Sequence, residues 1–566
     1  MCGIPMEAAP SSPSTKRKRH HVSSAPDARI DNHGRATLWL ASGTVISRVT
    51  GFLSAIILAR TIGTVGLGAD AFTVANSLPN NIYILIAGGV LNAVLVPQIV
   101  RAARAPDGGL SYINKLVTLA IVMLGGATVI LTAAVPLVVA IYGVSYIGTP
   151  IITLAIAFGL WCMPQIFFYG LYTVLGEVLN ARKMFGPFTW APIINNVVAI
   201  GGMFVFMALF GADPSGTMEA GMWGPAQVAV LAGSATLGVL GQALVLTLFW
   251  RRAGLSFKFD FNWRGVGLRS AGRASTGVLG IMIAGQIAFI ITTNVMLGAD
   301  IGDASVNVLK LSWLVFVLPH SIITVSITTA HFTTMSQHAI SADLPAVQRD
   351  FSEIVRTVAL PLVLAMCGVM VLSMPLARLF AENREQAGAL ALVIVGQMAW
   401  LIFYTLIFVA QRTFYALGNA RAPLIFFTGQ YALQSVFSVI AGLTVPSHYL
   451  AFALALAQGI AMMLTAPFAL YWLGKKLGVG LDGRRVSRTL LACLGAGAGA
   501  SLVGWLLTTG MGANAEVGFG ATTQGSVVTM VVVGLVMSTL YLTILWLLRL
   551  PELRTMAEPV LKRLRA

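Results

Sequence analysis

Residues 187–210 read PFTWAPIINNVVAIGGMFVFMALF, a stretch without a charged side chain, preceded by Arg182-Lys183 and followed by Asp213. As a helix it extends about 36 Å, enough to cross a hydrocarbon layer of roughly 30 Å. In lipid each backbone N–H and C=O must be satisfied within the protein, and a run of this kind does so as a helix. A barrel strand would alternate apolar and polar residues, and this run does not. Runs of the same character recur along the chain. The candidate spans are 36–61, 71–99, 112–141, 149–178, 187–210, 223–249, 274–299, 304–332, 354–379, 386–415, 423–446, 448–473, 486–510 and 522–548.

Composition agrees with this reading. Of 566 residues, 57% are hydrophobic and 10% charged, against roughly 25% charged in soluble proteins. The net charge of +16 does not mark a nucleic-acid binder, because the basic residues sit in short loops between apolar runs. Thirty-one of the 36 Lys and Arg fall on one side of the span map. Only Arg60, Arg378 and Arg384 fall on the other, and Arg48 and Lys310 lie inside spans. By the positive-inside rule the basic side is cytoplasmic, which places both termini there in the cytoplasmic membrane. Three of the four cysteines (Cys162, Cys367, Cys493) lie in apolar runs and Cys2 lies in the tail, with neither disulfide nor metal spacing.

The expected fold is an all-α membrane protein of about 14 transmembrane helices. Gly34-Arg35-Ala36 and Gly272-Arg273-Ala274 open the first and seventh spans at an offset of 238. Leu179-Asn180-Ala181-Arg182 and Gly418-Asn419-Ala420-Arg421 close the fourth and tenth at 239. Units of six spans begin on the same side, so the repeats are parallel and leave a cleft between two lobes. The expected division is a disordered basic cytoplasmic tail (1–35), a six-helix lobe (36–250), a cytoplasmic linker (251–273), a second lobe (274–474), an extra helix pair (486–548) and a basic tail (549–566). The tail run Lys16-Arg17-Lys18-Arg19 serves as an orientation signal, with anionic-lipid or partner binding as the alternative.

No nucleotide-binding loop is present; Gly474-Lys475-Lys476 lacks the hydroxyl and the upstream glycine. No nucleophile–base–acid set or metal spacing stands out, and His331 and His338 read as an interfacial pair. The expectation is a transporter and not an enzyme, with no cofactor beyond a coupling cation at an unlocated site. A membrane enzyme acting on lipid is the weaker alternative.

Arg48 lies about 18 Å into the first span. A charge there costs at least about 2.5–3.5 kcal/mol unless it faces a wet cavity or a partner, and no mid-span carboxylate is available. Lys310, near the outer end of span eight, either binds substrate or snorkels. Asp70, Asp300 and Asp303 sit at outer helix ends, where capping of their own helices is expected. Glu177 with Arg182 and Lys183 reads as a cytoplasmic-end gate or an interfacial ion pair. Pro79-Asn80, Gly88-Gly89, Pro192 with Asn195-Asn196, and Pro319 are helix breakers that either line a cavity or kink a helix. Gly495, Gly497 and Gly499, with Ala492, Ala496 and Ala500, offer a small surface for close helix packing.

Four stretches together resemble the MurJ (MviN) family of lipid II flippases in the MOP exporter superfamily: Ser47-Arg48-Val49-Thr50-Gly51-Phe52, Ala69-Asp70-Ala71-Phe72 with Leu78-Pro79-Asn80, Leu179-Asn180-Ala181-Arg182, and Ala191-Pro192 with Asn195-Asn196. The resemblance implies an undecaprenyl-diphosphate-linked peptidoglycan precursor as cargo, moved from cytoplasmic to outer leaflet by alternating access. It also implies a cationic cavity in which Arg48, Lys310, Ser54 and Asn80 contact substrate. Asp70, Pro79, Glu177, Arg182, Pro192, Asn196 and Pro319 take gating or structural roles, and the last helix pair borders a groove for the lipid tail. Partners implied are membrane lipids and cell-wall synthesis proteins. The chain departs from the family where other members carry further arginines: Ser54, Tyr83, Ile84 and the region of Leu314 stand there instead, leaving Arg48 and Lys310 as a reduced cation set. The alternatives are export of another lipid-linked sugar or a small molecule, and a non-transporting cell-wall scaffold.

Overall fold

A computed structural model describes residues 27–86, 107, 109–263, 268–298, 305–513 and 515–554, with side chains omitted for 27–41 and 268–276. Gly88-Gly89, Asp300, Asp303 and most of both basic tails lie outside the described residues. The first lobe comprises α1 (Asp27–Ile62), α2 (Leu67–Ile86), α3 (Leu110–Ala133), α4 (Val135–Tyr142), α5 (Pro150–Cys162), α6 (Gln165–Ala181), α7 (Phe185–Phe210) and α8 (Pro225–Thr247). The second comprises α9 (Leu268–Leu297), α10 (Val306–Pro319), α11 (Ser326–Ile340), α12 (Leu344–Val371), α13 (Ser373–Phe380), α14 (Arg384–Met398), α15 (Leu401–Ala416), α16 (Arg421–Thr444) and α17 (Ser447–Leu477). The chain then forms α18 (Gly483–Gly510) and α19 (Thr523–Leu547).

Among the described residues, twelve helical stretches are long and apolar enough to cross a membrane, or thirteen if α14 with α15, bent by 43°, is counted as one span. The expected second span, 71–99, is described only to Ile86, where α2 ends. The ninth was expected to begin at 354, but α12 begins at Leu344. Its first turns carry Arg349, Asp350 and Glu353, and a helix continues through such polar residues wherever one face can stay wet.

The internal repeat is written in the helix breaks. The third crossing is interrupted at Ala134 and the ninth at Leu372, 238 residues apart. The fourth is interrupted at Met163-Pro164 and the tenth at Ala399-Trp400, 236 and 236 residues apart. The prolines chosen from sequence behave differently. Pro79 and Pro192 lie inside continuous helices, because bundle neighbours tolerate the single backbone group each one frees. Pro319 does mark a change: α10 passes into a π-helical turn, His320–Val325, before α11.

The C-terminal pair packs on the second lobe, α18 against α12 and α19 against α18 and α13. Tyr541 donates to the Leu360 carbonyl (2.9 Å), and Arg356 pairs with the buried Glu552. One stripe of small residues makes the contact. A Cβ on Gly497 would lie 2.8 Å from Cys367 Sγ, whereas one on Gly495 would meet nothing within 4 Å. Gly497→Val is therefore expected to cost about 1–3 kcal/mol through overpacking, and Gly495→Val to stay within about 0.5 kcal/mol. Thermal unfolding of the two variants in detergent checks the difference; equal melting temperatures would contradict this packing.

Candidate functional site

The two lobes meet at one end of the bundle, the end opposite the basic loops. All three arginines that break the charge bias work there. Arg60 Nε donates to the Leu379 carbonyl (3.1 Å) and its Nη2 to that of Arg378 (2.7 Å). Arg378 in turn donates to the carbonyls of Ala521 and Ala515 (the latter 2.6 Å). Arg384 pairs with Glu516 (2.6 Å). Gln386 reaches the Ser215 carbonyl (3.0 Å), and Thr64 Oγ1 reaches that of Phe380 (3.2 Å). A clasp of this kind joins both lobes and the C-terminal pair largely through main-chain acceptors.

Beside the clasp lies a buried latch. Asp70 was expected to cap its own helix, but it is the fourth residue of α2, past the N-cap position, and its N–H bonds the Gly66 carbonyl just before the helix. Its carboxylate instead crosses to the second lobe, accepting from Ser305 Oγ (2.5 Å) and Asn307 N (3.0 Å). It therefore caps α10, jointly with Ser305, where a negative charge also meets the positive end of the helix dipole. Asn307 completes the latch, accepting from Thr73 Oγ1 (3.0 Å) and donating to the carbonyls of Thr64 (3.1 Å) and Gly63 (3.4 Å). Sequence reasoning missed Ser305, Asn307 and Thr73. Ser-x-Asn at a helix start was a visible capping signal, but nothing local shows that the second acceptor comes from another lobe.

Below the latch the lobes part. Residues 48, 52, 55 and 59 share one face of α1. At Ala59 that face is buried, and at Phe52 it meets Phe380 of the second lobe, edge to face at 5.3 Å. One turn further from the latch stands Arg48, exposed and without a hydrogen bond or ion pair among the described residues. On α2, Asp70, Thr73, Ser77 and Asn80 share a face; Asn80 is exposed where Thr73 is buried. On α10, Lys310 follows Asn307 by one turn. Its side chain is exposed, whereas Asn307 is buried. Lys310, Asn80 and Arg48 thus stand on faces that the two lobes turn toward each other, on the side of the latch away from the clasp.

They do not share a depth. Counting along the helices from the latch, Lys310 lies about 5 Å away, Asn80 about 10 Å and Arg48 about 22 Å. Arg48 and Lys310 form two stations and not one compact anion site. Ser54 lies about 120° around α1 from Arg48, on the side that packs against α7. There Asn196 of α7 donates to the Ser47 carbonyl (3.2 Å) and to Thr50 Oγ1 (2.9 Å), fixing the rotation of α1. No ion pair joins Glu177 to Arg182 or Lys183 among the described residues; Glu177 is half-buried near Tyr83 and Tyr172. Arg182 forms the C-cap of α6. Beyond Pro319, His320 is buried against Tyr404 (ring centroids 4.5 Å) and Phe408 (5.0 Å). His338 contacts Asp350 (2.8 Å), while His331 bonds the Ile327 carbonyl (3.0 Å).

The family model described as lipid II flippase MurJ matches residues 33–524. A probable lipid II flippase MurJ of Borreliella burgdorferi is 23% identical over 463 residues, covering 79% of this chain and 84% of the relative. That of Haemophilus influenzae is 24% identical over 408 residues, covering 67% and 75%. Among solved structures, lipid II flippase MurJ in an inward closed conformation superposes with a TM-score of 0.67 at 17% identity, covering 90% of this chain and 99% of that one. An inward-facing MATE multidrug transporter of the MOP superfamily gives 0.60 at 14% identity, covering 76% and 95%.

Proposed function

Because the chain belongs to the family of MurJ lipid II flippases, we propose that it carries lipid II, the lipid-linked peptidoglycan precursor, from the cytoplasmic to the outer leaflet of the inner membrane by alternating access. The cleft is the path. It is closed by the clasp and latch at the end with few basic residues, which the charge bias assigns to the outside, and the cargo enters it from the basic, cytoplasmic end. The observation that carries the cargo's chemistry is Arg48, an exposed guanidinium on the face of α1 turned toward the second lobe, with no partner among the described residues. A cation left unpaired within a bundle is supported when it meets an anion that comes and goes, and a diphosphate suits its forked donors.

Arg48 receives the headgroup, Asn80 offers an amide along the way, and Lys310 stands closest to the latch. The polyprenyl chain stays in lipid beside the lobes, so only the headgroup needs the cleft. No nucleotide is required. Each negative charge moved outward against an inside-negative potential gains about 2.3 kcal/mol per 100 mV, so a diphosphate gains a few kcal/mol.

Depletion of the protein in its host, followed by leaflet-resolved detection of lipid II, tests the reading. The expected result is accumulation of lipid II in the cytoplasmic leaflet, reversed by re-expression. An unchanged leaflet distribution would overturn it, and accumulation of a different lipid-linked sugar would reassign the cargo.

A further inference from the structure

The segment joining the lobes carries a surface that transport does not use. From 257 to 263 it reads Phe-Lys-Phe-Asp-Phe-Asn-Trp, with aromatic residues at every second position. The segment is not helical. Its rings form a continuous ladder: Phe257 to Phe259 at 4.9 Å, Phe259 to Phe261 at 6.2 Å and stacked, and Phe261 to Trp263 at 6.0 Å. In an extended chain alternate side chains share a face, so the four rings stand on one side and Lys258, Asp260 and Asn262 on the other. All four rings are exposed, Phe259 and Phe261 at 63% each.

The ladder is held in place by its backbone. Lys258 N donates to Asn114 Oδ1 (3.3 Å) and Asp260 N to Thr118 Oγ1 (3.0 Å). Both acceptors lie in the first turns of α3, about 6 and 12 Å from its start. The segment therefore runs along the first turns of a membrane-crossing helix, at the basic end of the bundle. Basic residues flank it: Arg251, Arg252 and Lys258 are exposed. An aromatic face at this end of the bundle beside cations has the chemistry that anionic interfaces select.

We propose that residues 257–263 dock on the bilayer surface at the basic end of the bundle, with the aromatic ladder inserted among the acyl chains of anionic phospholipids and Arg251, Arg252 and Lys258 on their headgroups. Bound in this way and pinned to α3, the linker holds the first lobe at a fixed depth while the second moves.

Nitroxide labels placed singly at 257, 258, 259, 261 and 262, in the full chain reconstituted into phosphatidylglycerol-containing nanodiscs, test this. Collision with oxygen should exceed collision with a water-soluble nickel chelate at 257, 259 and 261, and the ratio should invert at 258 and 262. In nanodiscs of phosphatidylcholine alone, the labels at 259 and 261 should become more accessible to nickel. Nickel access at 259 and 261 equal to that at 262 in anionic nanodiscs would overturn the proposal and leave the ladder to a protein partner. Identical accessibility in the two lipids would overturn the assignment to anionic lipid. Labels at exposed positions spare the packed core, and monodisperse elution confirms the fold of each labelled protein.

Discussion

Arg48→Ala is expected to reduce flipping per folded molecule by about 10- to 100-fold, the loss of one charge-assisted hydrogen bond to the cargo worth roughly 1.5–3 kcal/mol. The protein should nevertheless insert, accumulate and melt normally. That combination follows from the position of the residue. Arg48 has no partner among the described residues that its removal would strand, and α1 is fixed to α7 by Asn196 on a different face. Arg48→Lys should retain part of the activity, since the charge survives while the fork is lost. Lys310→Ala should impair less, because Lys310 stands about 17 Å beyond the first station along the helix axes. Reconstituted flipping, normalised to folded protein, measures the effect. Full specific activity in Arg48→Ala would remove the residue-level case for an anionic cargo, and a drop in melting temperature matching the loss of activity would make Arg48 a structural residue.

Asp70→Ala should open the clasped end. The carboxylate holds two bonds across the lobe boundary and caps α10, and no other first-lobe acceptor among the described residues bonds Ser305 Oγ or Asn307 N. Bonds to an ionised acceptor are worth roughly 1.5–3 kcal/mol, so loss of even one shifts a two-state equilibrium about 10- to 100-fold. Asp70→Asn, which keeps an oxygen acceptor, should fall between. Spin labels at Thr217 and Glu385, both exposed at the clasped end on opposite lobes, should show a longer-distance population in Asp70→Ala, and Asn307→Ala should reproduce it. A distance distribution unchanged from the parent protein would mean that the clasp alone holds the lobes and the latch is incidental.

Much of this architecture is legible in the sequence. The apolar runs and the distribution of Lys and Arg located the helices and the two ends, because both express the single constraint that the bilayer places on backbone and charge. Short motifs at offsets of 238 and 239 announced a repeat that the breaks at Ala134 and Leu372 make visible. The breaks were legible only in part. Ala134 and Leu372 are ordinary helix formers, but Pro136 and Pro375 follow them within three residues and Pro164 stands in the break of the fourth crossing; a proline opens a new helical segment and ends the one before it, whereas Pro79 and Pro192 look like breakers and are absorbed. Arg48 stood out as a lone charge in an apolar run. Its face, its distance from Lys310 and the separation of Ser54 from it depend on helix rotation, which Asn196 sets from another span. Asp70 was visible as a capping residue, but the helix it caps lies more than two hundred residues away.

The clasp has a consequence for how this protein diverges over time. Arg60 and Arg378 bond to peptide oxygens of residues 378, 379, 515 and 521, groups present whatever side chain those positions carry. Replacement at the accepting positions leaves the bonds intact, so the accepting loops can drift while the two arginines cannot. Correlated substitution between aligned descendants would reveal the Arg384–Glu516 pair and pass over the stronger junction beside it.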